Sequence, residues 1–357
     1  MSLKVAIVGC GVVGRRRAEI IRSTATGEVK IVADVDAERA AATGHTLGCD
    51  VTTSWLDAVG RDDIDVAIVA TTHNWLAPIT IEALRHRKHV LVEKPMARSP
   101  AEARAILDEI ETQGSGHRPV VKVGWNHRHH PSISRAHALL ASGEIGEPYY
   151  VRCRYGHGGR PGYAEEWRGK RELSGGGCLI DQGMHVLDLC RWFLGEFAEV
   201  VGFKSTYFWT PQDHRPEGPV EDNMFGLLRT TDGRIASLHS SWTQWKNLFS
   251  YEVFGRDGYL IAQALGGSYG QEQLIWGRRR PESGPPDEQR FEFPEGDPSW
   301  EAEWREFVAA ISAGRAPLGD AYDGWQALRM AQALYTSTET RAVVRVDDPR
   351  LNGREGL

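Results

Sequence analysis

Two stretches of this 357-residue chain carry side chains whose chemistry needs a reason. The first is Val90-Leu91-Val92-Glu93-Lys94-Pro95, an apolar run that ends in a carboxylate, an amine and a proline. A lysine is costly to bury unless its charge is used, and a proline directly after a buried strand cannot continue the ladder, so charge and turn coincide at Lys94. A strand-end Glu-Lys pair reaching solvent is the plainer reading. The second stretch is Ser174-Gly175-Gly176-Gly177-Cys178-Leu179-Ile180-Asp181-Gln182-Gly183-Met184-His185-Val186-Leu187-Asp188-Leu189. Past its glycines the spacing predicts a helix with Ile180, Met184 and Leu187 in an apolar stripe. Asp181, His185 and Asp188 fall in a neighbouring stripe at i, i+4 and i+7. Three titratable groups in line on an otherwise buried helix suit proton transfer by an imidazole that a carboxylate orients. A core histidine held by Asp188 or Asp181 would give the same pattern.

The elements that must position Lys94 read clearly. Leu3-Lys4-Val5-Ala6-Ile7-Val8 is an apolar strand, followed at once by Gly9-Cys10-Gly11-Val12-Val13-Gly14 and a helical pattern over residues 12–21. This strand, glycine turn and helix form the setting of a dinucleotide fingerprint. Gly9 allows the tight turn, Gly11 lets the backbone approach a pyrophosphate, and Gly14 lets the helix lie close on the strand. The free amides of the helix start, at Val12 and Val13, face the phosphates. A second strand, residues 29–34, ends in Asp34 about 20 residues later, where a carboxylate accepts from an adenosine ribose and repels a 2′-phosphate. NAD is therefore expected over NADP, with Asp36 as the alternative contact and a helix N-terminal acid as the plain reading of either. Strands at 65–70 and 120–123 and helices at 78–87 and 100–113 continue the alternation, which argues for a doubly wound parallel α/β sheet. Thr71, Thr72, His73 and Asn74 follow a strand at the same edge as Gly9 and Lys94, placed either to contact the nicotinamide ribose or to cap a helix.

After Gly124 the character changes. Residues 125–357 are expected to form a second α/β domain, with 1–124 the nucleotide-binding domain. Trp125-Asn126-His127-Arg128-His129-His130-Pro131 leads into a helix ending near Gly143, and its histidines lack the i, i+4 pair that converges on a metal ion. Strands are expected at 149–155, 200–209, 223–230, 235–242, 249–254 and 259–264, giving an open, mostly antiparallel sheet. One face of such a sheet must be covered by helices or by another subunit, so a homodimer or homotetramer is expected. Helices at 299–313 and 321–342 return against the body, and residues 278–297 read as a loop rich in Pro, Gly and charge.

Composition removes other classes. The net charge of -6 gives no footprint for nucleic acid, and Arg15-Arg16-Arg17 is a single basic cluster on a predicted helix. No apolar run reaches the ~20 residues that span a bilayer, and no signal-like segment precedes the first strand, so a cytoplasmic location is expected. Five scattered cysteines without a Cys-x-x-Cys pair argue against a disulfide framework and a structural zinc site. Trp125, Trp167, Trp242 and Trp245 suit a polyol, with one or two expected in a cleft. Arg152, Arg154, Arg160, Arg168, Lys170 and Arg171 suit either an anionic substrate or a solvated rim.

Together, Gly9-x-Gly11-x-x-Gly14, Glu93-Lys94-Pro95 and Asp181-x-Gly183-x-His185-x-x-Asp188 resemble the Gfo/Idh/MocA family of NAD(P)-dependent oxidoreductases, in the family's order and over nearly the whole chain. The resemblance implies a Rossmann domain joined to an α/β domain whose open sheet often serves oligomerisation. It also implies oxidation or reduction of a secondary hydroxyl on a sugar, cyclitol or derivative. Lys94, Asp181 and His185 are then expected at the substrate, with Asn126, Arg128 and Gln182 on its hydroxyls. Glu93, Trp167 and Arg168 are expected beside the cofactor. Thr71-Thr72-His73-Asn74 departs from the Thr-Pro-Asn of many relatives. In the mechanism that follows, His185 accepts the hydroxyl proton as hydride leaves, Lys94 stabilises the alkoxide, and Asp181 orients His185 or binds a neighbouring hydroxyl; the lysine and histidine roles are interchangeable on sequence alone. Two other activities fit the same residues: an NAD-dependent glycosidase working by transient oxidation and elimination, and a non-catalytic nucleotide sensor.

Overall fold

Short runs of Val, Ile and Ala alternate with amphipathic helices near the start of the chain, and in the computed structural model they form one parallel sheet. The structure describes residues 2–114, 118–211, 218–294 and 296–352. The chain divides into two units, residues 1–125 with 300–326 and residues 126–299 with 327–357. In the first unit, β1 (Leu3–Val8), β2 (Gly27–Ala33), β3 (Asp50–Thr52), β4 (Val66–Val69), β5 (His89–Val92) and β6 (Val121–Val123) lie in the order β3-β2-β1-β4-β5-β6. Every neighbouring pair is parallel, with Ile7 beside Val32 and Ile68, and Ile68 beside Leu91. Such strands are covered on both faces, which is why they read as unbroken apolar runs. The order reverses between β1 and β4, the place where open α/β sheets bind ligands beyond their carboxyl ends.

The boundary between units falls one residue later than expected, and residues 300–326 join the first unit instead of staying with the second. Packing explains the transfer. Trp304, Phe307 and Ala310 are buried in one core with Val5, Ile7, Ile21, Ile68 and Leu91. Charge reinforces it, because Arg17 is held between Glu93 and Glu303, at 2.7 Å from each, with its side chain 1% exposed. Lys122 reaches Glu306 at 3.0 Å. The helix expected from residue 78 begins earlier, as His73–Arg85, with Thr72 as its extended N-cap and Pro78 inside it. One proline removes one helical hydrogen bond and did not stop the turn before it.

The second unit contains β7 (Pro148–Gly156), β8 (Phe197–Ser205), β9 (Asn223–Thr230), β10 (Ile235–Ser241), β11 (Leu248–Gly255), β12 (Gly258–Gln263), β13 (Glu272–Arg278), β14 (Asp287–Phe293) and β15 (Val344–Arg345). They form one sheet in the order β14-β13-β12-β11-β7-β10-β9-β8-β15, antiparallel except where β7 meets β10. Residues 278–297 are thus not simply a loop: β14 lies within them, and residue 295 falls outside the described residues. Its alternating charges disguise it, as suits an edge strand. The strand expected to run to Trp209 stops at Ser205, because the buried Asp222 carboxylate accepts the amides of Tyr207, Phe208 and Trp209. One face of the sheet is covered from within the unit, with Leu334 seated against Gly202 and Gly226. The other carries the exposed side chains of Phe203, Phe225 and Leu227.

Candidate active site

The glycine turn after β1 has the shape a pyrophosphate requires. Gly9 has a φ of +100, and a Cβ there would fall 2.3 Å from the Ala70 carbonyl oxygen after β4. A Cβ on Gly14 would lie 1.8 Å from the Gly9 carbonyl oxygen, so the helix Val12–Thr24 is pressed onto the turn. Gly11 differs, since nothing lies within 4 Å of its would-be Cβ. The free side of the turn therefore faces open space at a helix N-terminus whose first turn holds no acid. Amides there, including those of Val12 and the following Val13, suit an anion, and these residues fit a bound dinucleotide.

Asp34 stands where expected, at the end of β2, but it already has partners. Its oxygens accept from the amides of Cys10 at 2.7 Å and Asp36 at 3.0 Å, and from Arg39 at 2.9 and 2.6 Å. Burial works against its charge, yet the Arg39 guanidinium and these amides hold its carboxyl below the ordinary value. Asp36 caps the helix Ala37–Leu47 through the amide of Arg39, so it takes the capping role. Arg39 is a neighbour the sequence reading missed, and its signal was a base five residues after a strand-end acid. Burial, followed by the charge of Asp34, pushes the Cys10 thiol up to about 11.

Lys94 follows β5, two strands from β1, and so stands at the same carboxyl edge as Gly9. It is half-buried, while Glu93 is buried, so the motif is not a pair reaching solvent. Glu93 accepts from Arg17 at 2.8 Å. That contact makes Glu93 a brace for the helix of the glycine turn, beside any contact it makes with a cofactor. At the end of β4, the Thr71 hydroxyl donates to the Thr72 carbonyl and the Thr72 hydroxyl to Asn74. His73 is buried in the first turn of its helix.

In the second unit, the helix expected after residue 178 opens with one wide i→i+5 turn, Leu179–Gly183, and becomes an ordinary α-helix only over Met184–Leu194. Such turns are frequent at functional sites. Glu221 holds the start: its carboxylate accepts the amides of Gly177 and Leu179 and the Tyr335 hydroxyl, while its carbonyl accepts the Cys178 amide. Ile180, Met184 and Leu187 are buried, as the stripe requires. Asp188 is bound by Arg128 at 2.8 and 2.5 Å, with both side chains almost fully buried. Arg128 therefore braces the helix of His185.

Around His185 the ring of His127 stacks at 3.8 Å, fixing the imidazole plane. Asn126 lies near His127 and donates to Ser299 at 2.9 Å. His130 is paired with Glu272, which also accepts the Ser132 amide, so this part of the histidine cluster has a structural use. Among the described residues, no group of three or more His, Cys, Asp and Glu is arranged to hold a metal ion.

Asp181, largely buried, accepts from the Tyr163 hydroxyl at 3.1 Å and from Arg168 at 3.4 Å. Burial, and then the charge of Asp181, push the Tyr163 hydroxyl well above its ordinary value, so it stays a donor. Burial acts against the charge of Arg168, but Asp181 more than offsets it. Arg168 also covers Trp167 at 4.4 Å. Gln182 donates weakly to Tyr269, and its Oε1 has no partner among the described residues. That buried acceptor is the kind of group a hydroxyl would satisfy. Trp125 and Trp242 are packing residues at 0% and 1% exposure, whereas Trp245 is exposed. Two of the arginines are paired with carboxylates, Arg152 with Glu252 and Arg160 with Glu166.

Comparisons with known proteins agree with this architecture. Residues 3–117 match the model for the oxidoreductase family with an NAD-binding Rossmann fold, and residues 133–261 match the Gfo/Idh/MocA C-terminal domain. The 1,5-anhydro-D-fructose reductase of Ensifer adhaerens is 34% identical over 251 residues, covering 68% of this chain and 70% of that protein. The inositol 2-dehydrogenase of Rubrobacter xylanophilus is 26% identical over 351 residues, covering 97% and 93%. The levoglucosan dehydrogenase of Pseudarthrobacter phenanthrenivorans is 28% identical over 255 residues, 65% of this chain but only 64% of that protein's length. A solved levoglucosan dehydrogenase, in complex with NADH and levoglucosan, superposes with a TM-score of 0.86 at 23% identity, over 98% of this chain and 100% of that one, which establishes the fold. With the glycine turn, the strand order and both halves of the chain in agreement, the protein belongs to the Gfo/Idh/MocA family of NAD-binding oxidoreductases.

Proposed function

We propose that the protein is an NAD-dependent oxidoreductase that moves hydride between the nicotinamide and a secondary hydroxyl of a sugar, cyclitol or sugar derivative. The observation that carries this reading is the position of Lys94 at the strand edge that also bears the glycine turn. Relatives named for inositol, levoglucosan and anhydrofructose support the substrate class. Bound NAD supplies the hydride acceptor. His185 takes the hydroxyl proton in a plane fixed by His127, and Lys94, as an ammonium, stabilises the charge left on oxygen. Asp181, supplied with donors by Tyr163 and Arg168, accepts from a neighbouring hydroxyl, and the buried Oε1 of Gln182 accepts from another. The reading requires Lys94 and His185 to serve one carbon.

A cytoplasmic location accords with five free cysteines. Among the described residues, no helix is long and apolar enough to cross a membrane. The open face of the second unit's sheet, with Phe203 at 73% exposure and Leu227 at 50%, supports a homo-oligomer formed there. The test is to follow NADH absorbance with inositols, aldoses, anhydro sugars, glycosides and nucleotide sugars. Net NADH formed from a free polyol supports a dehydrogenase, product release without net NADH indicates the glycosidase, and NADH binding with no turnover across the panel indicates a sensor. Lys94→Ala should keep NAD binding and lose about 10²-fold or more in turnover; near-normal turnover removes the lysine from the chemistry.

A further inference from the structure

Next to Asp181 the second unit builds an exposed aromatic ledge for which the proposed chemistry has no use. Phe208 is 57% and Trp245 is 64% exposed. Their rings meet edge to face at 4.8 Å, and Phe208 meets Trp209 in the same way at 5.0 Å. Rings left outside by accident would be held loosely, and these are not. Asp222, itself 0% exposed, accepts the amides of Phe208 at 2.7 Å and Trp209 at 3.0 Å. The Trp209 indole N–H donates to the Trp242 carbonyl at 2.9 Å. Trp245 has a φ of +45, an unfavourable conformation for a bulky residue that persists only where its surroundings impose it. A Cβ on Gly159 would lie 2.6 Å from the Trp209 ring, so a bare backbone is what lets that ring lie flat.

The ledge is one ring away from Asp181. Tyr163 packs against Trp209 at 5.9 Å and donates its hydroxyl to the Asp181 carboxylate at 3.1 Å. His157 supports the link: its Nδ1 accepts the Gly159 amide at 2.9 Å, which leaves the proton of the neutral ring on Nε2, facing the Tyr163 oxygen at 3.4 Å. Edge-to-face packing covers a face of only one ring in each pair, and Phe208 and Trp245, exposed as they are, keep ring surface open to solvent. An aromatic face covers the apolar C–H side of a pyranose while its hydroxyls stay in water.

We propose that Phe208, Trp209 and Trp245 form a second sugar subsite, so that the substrate is a glycoside or short oligosaccharide whose reacting ring lies at Asp181 and whose next ring stacks on the ledge. This rests on the proposed function for the reacting ring, but the subsite can be tested with or without turnover. The full chain with NAD would be assayed on glucose, galactose and mannose, on their methyl glycosides, and on cellobiose, lactose and maltose. The ratio of kcat/KM for a disaccharide to that for its parent sugar should fall about tenfold in Trp245→Ala, through KM. Trp245→Phe should recover most of it, and Tyr149→Ala, an exposed aromatic on β7, should leave it unchanged. Equal ratios in wild type and Trp245→Ala would overturn the subsite while leaving the oxidoreductase intact. If no sugar of either size yields NADH, the function fails instead, and the ledge is read by calorimetric titration of the same disaccharides into the NADH-loaded chain. Binding that Trp245→Ala abolishes supports it, and no binding to wild type overturns it. A change of oligomeric state in Trp245→Ala on light scattering would assign the ledge to a second copy of the chain and also overturn it.

Discussion

At the scale of single residues, Asp34 joins the glycine turn to the helix of Arg39, and the proposed function gives the same carboxylate the adenosine ribose. Removing its carboxylate frees Arg39, 41% exposed at its side chain, to meet a 2′-phosphate. We expect Asp34→Ala to shift the ratio of kcat/KM for NAD over NADP by about 10²-fold toward NADP, equivalent to losing one charge-assisted contact and gaining another. An unchanged ratio in steady-state assays would show that Asp34 has only a structural use. The same group sets a pH dependence. Its folded value lies below the ordinary 3.8, so its stabilising effect is complete above that pH and is lost as the pH falls through the lower, folded value. Wild type should therefore lose more stability than Asp34→Ala in acid, as read by thermal melts.

At the scale of elements, the wide turn at Leu179–Gly183 is where local reasoning fell short. Ile180, Met184 and Leu187 were legible as a buried stripe because helical periodicity is a local property. The i→i+5 turn was not, since it depends on Glu221, some forty residues away in sequence, filling the amides of Gly177 and Leu179. For the same reason the partners of Asp188 and Asp181 were open: Arg128, Tyr163 and Arg168 come from other segments. β14 escaped because an edge strand needs no apolar alternation. The glycine turn, by contrast, was legible from its strand-turn-helix setting, although the close contact that requires Gly9, the Ala70 carbonyl after β4, lies outside that unit. We expect Glu221→Gln to lower stability by about 1–3 kcal/mol by leaving buried donors poorly matched. It should also reduce kcat while NADH affinity, measured by fluorescence titration, stays within about twofold. A variant that melts lower but keeps kcat would separate the turn from catalysis.

At the scale of the whole molecule, the second unit covers one face of its sheet with its own helices and leaves the other to Phe203, Phe225, Leu227 and the charged pair Arg152–Glu252. The mixture of apolar centre and paired charge resembles an interface more than a solvated surface. Leu227→Glu should split the proposed homo-oligomer into monomers on light scattering, and a mass unchanged from that of the wild type would overturn an interface on this face. The parallel, doubly wound character of the first sheet followed from alternation alone, but its strand order and the return of residues 300–326 to the first unit did not. That return depends on long-range partners, Arg17 with Glu303 and Lys122 with Glu306, that no local pattern announces.

The proposed function requires Lys94 and His185 to act on one reacting carbon. A double-mutant cycle on turnover tests it directly, with wild type, Lys94→Ala, His185→Ala and the double variant assayed on whichever polyol yields NADH. Each single change is predicted to cost about 10²-fold or more, and the double variant far less than their product, because groups that act as a unit are not additive. Near-normal turnover in either single variant, or losses that simply multiply, would contradict it.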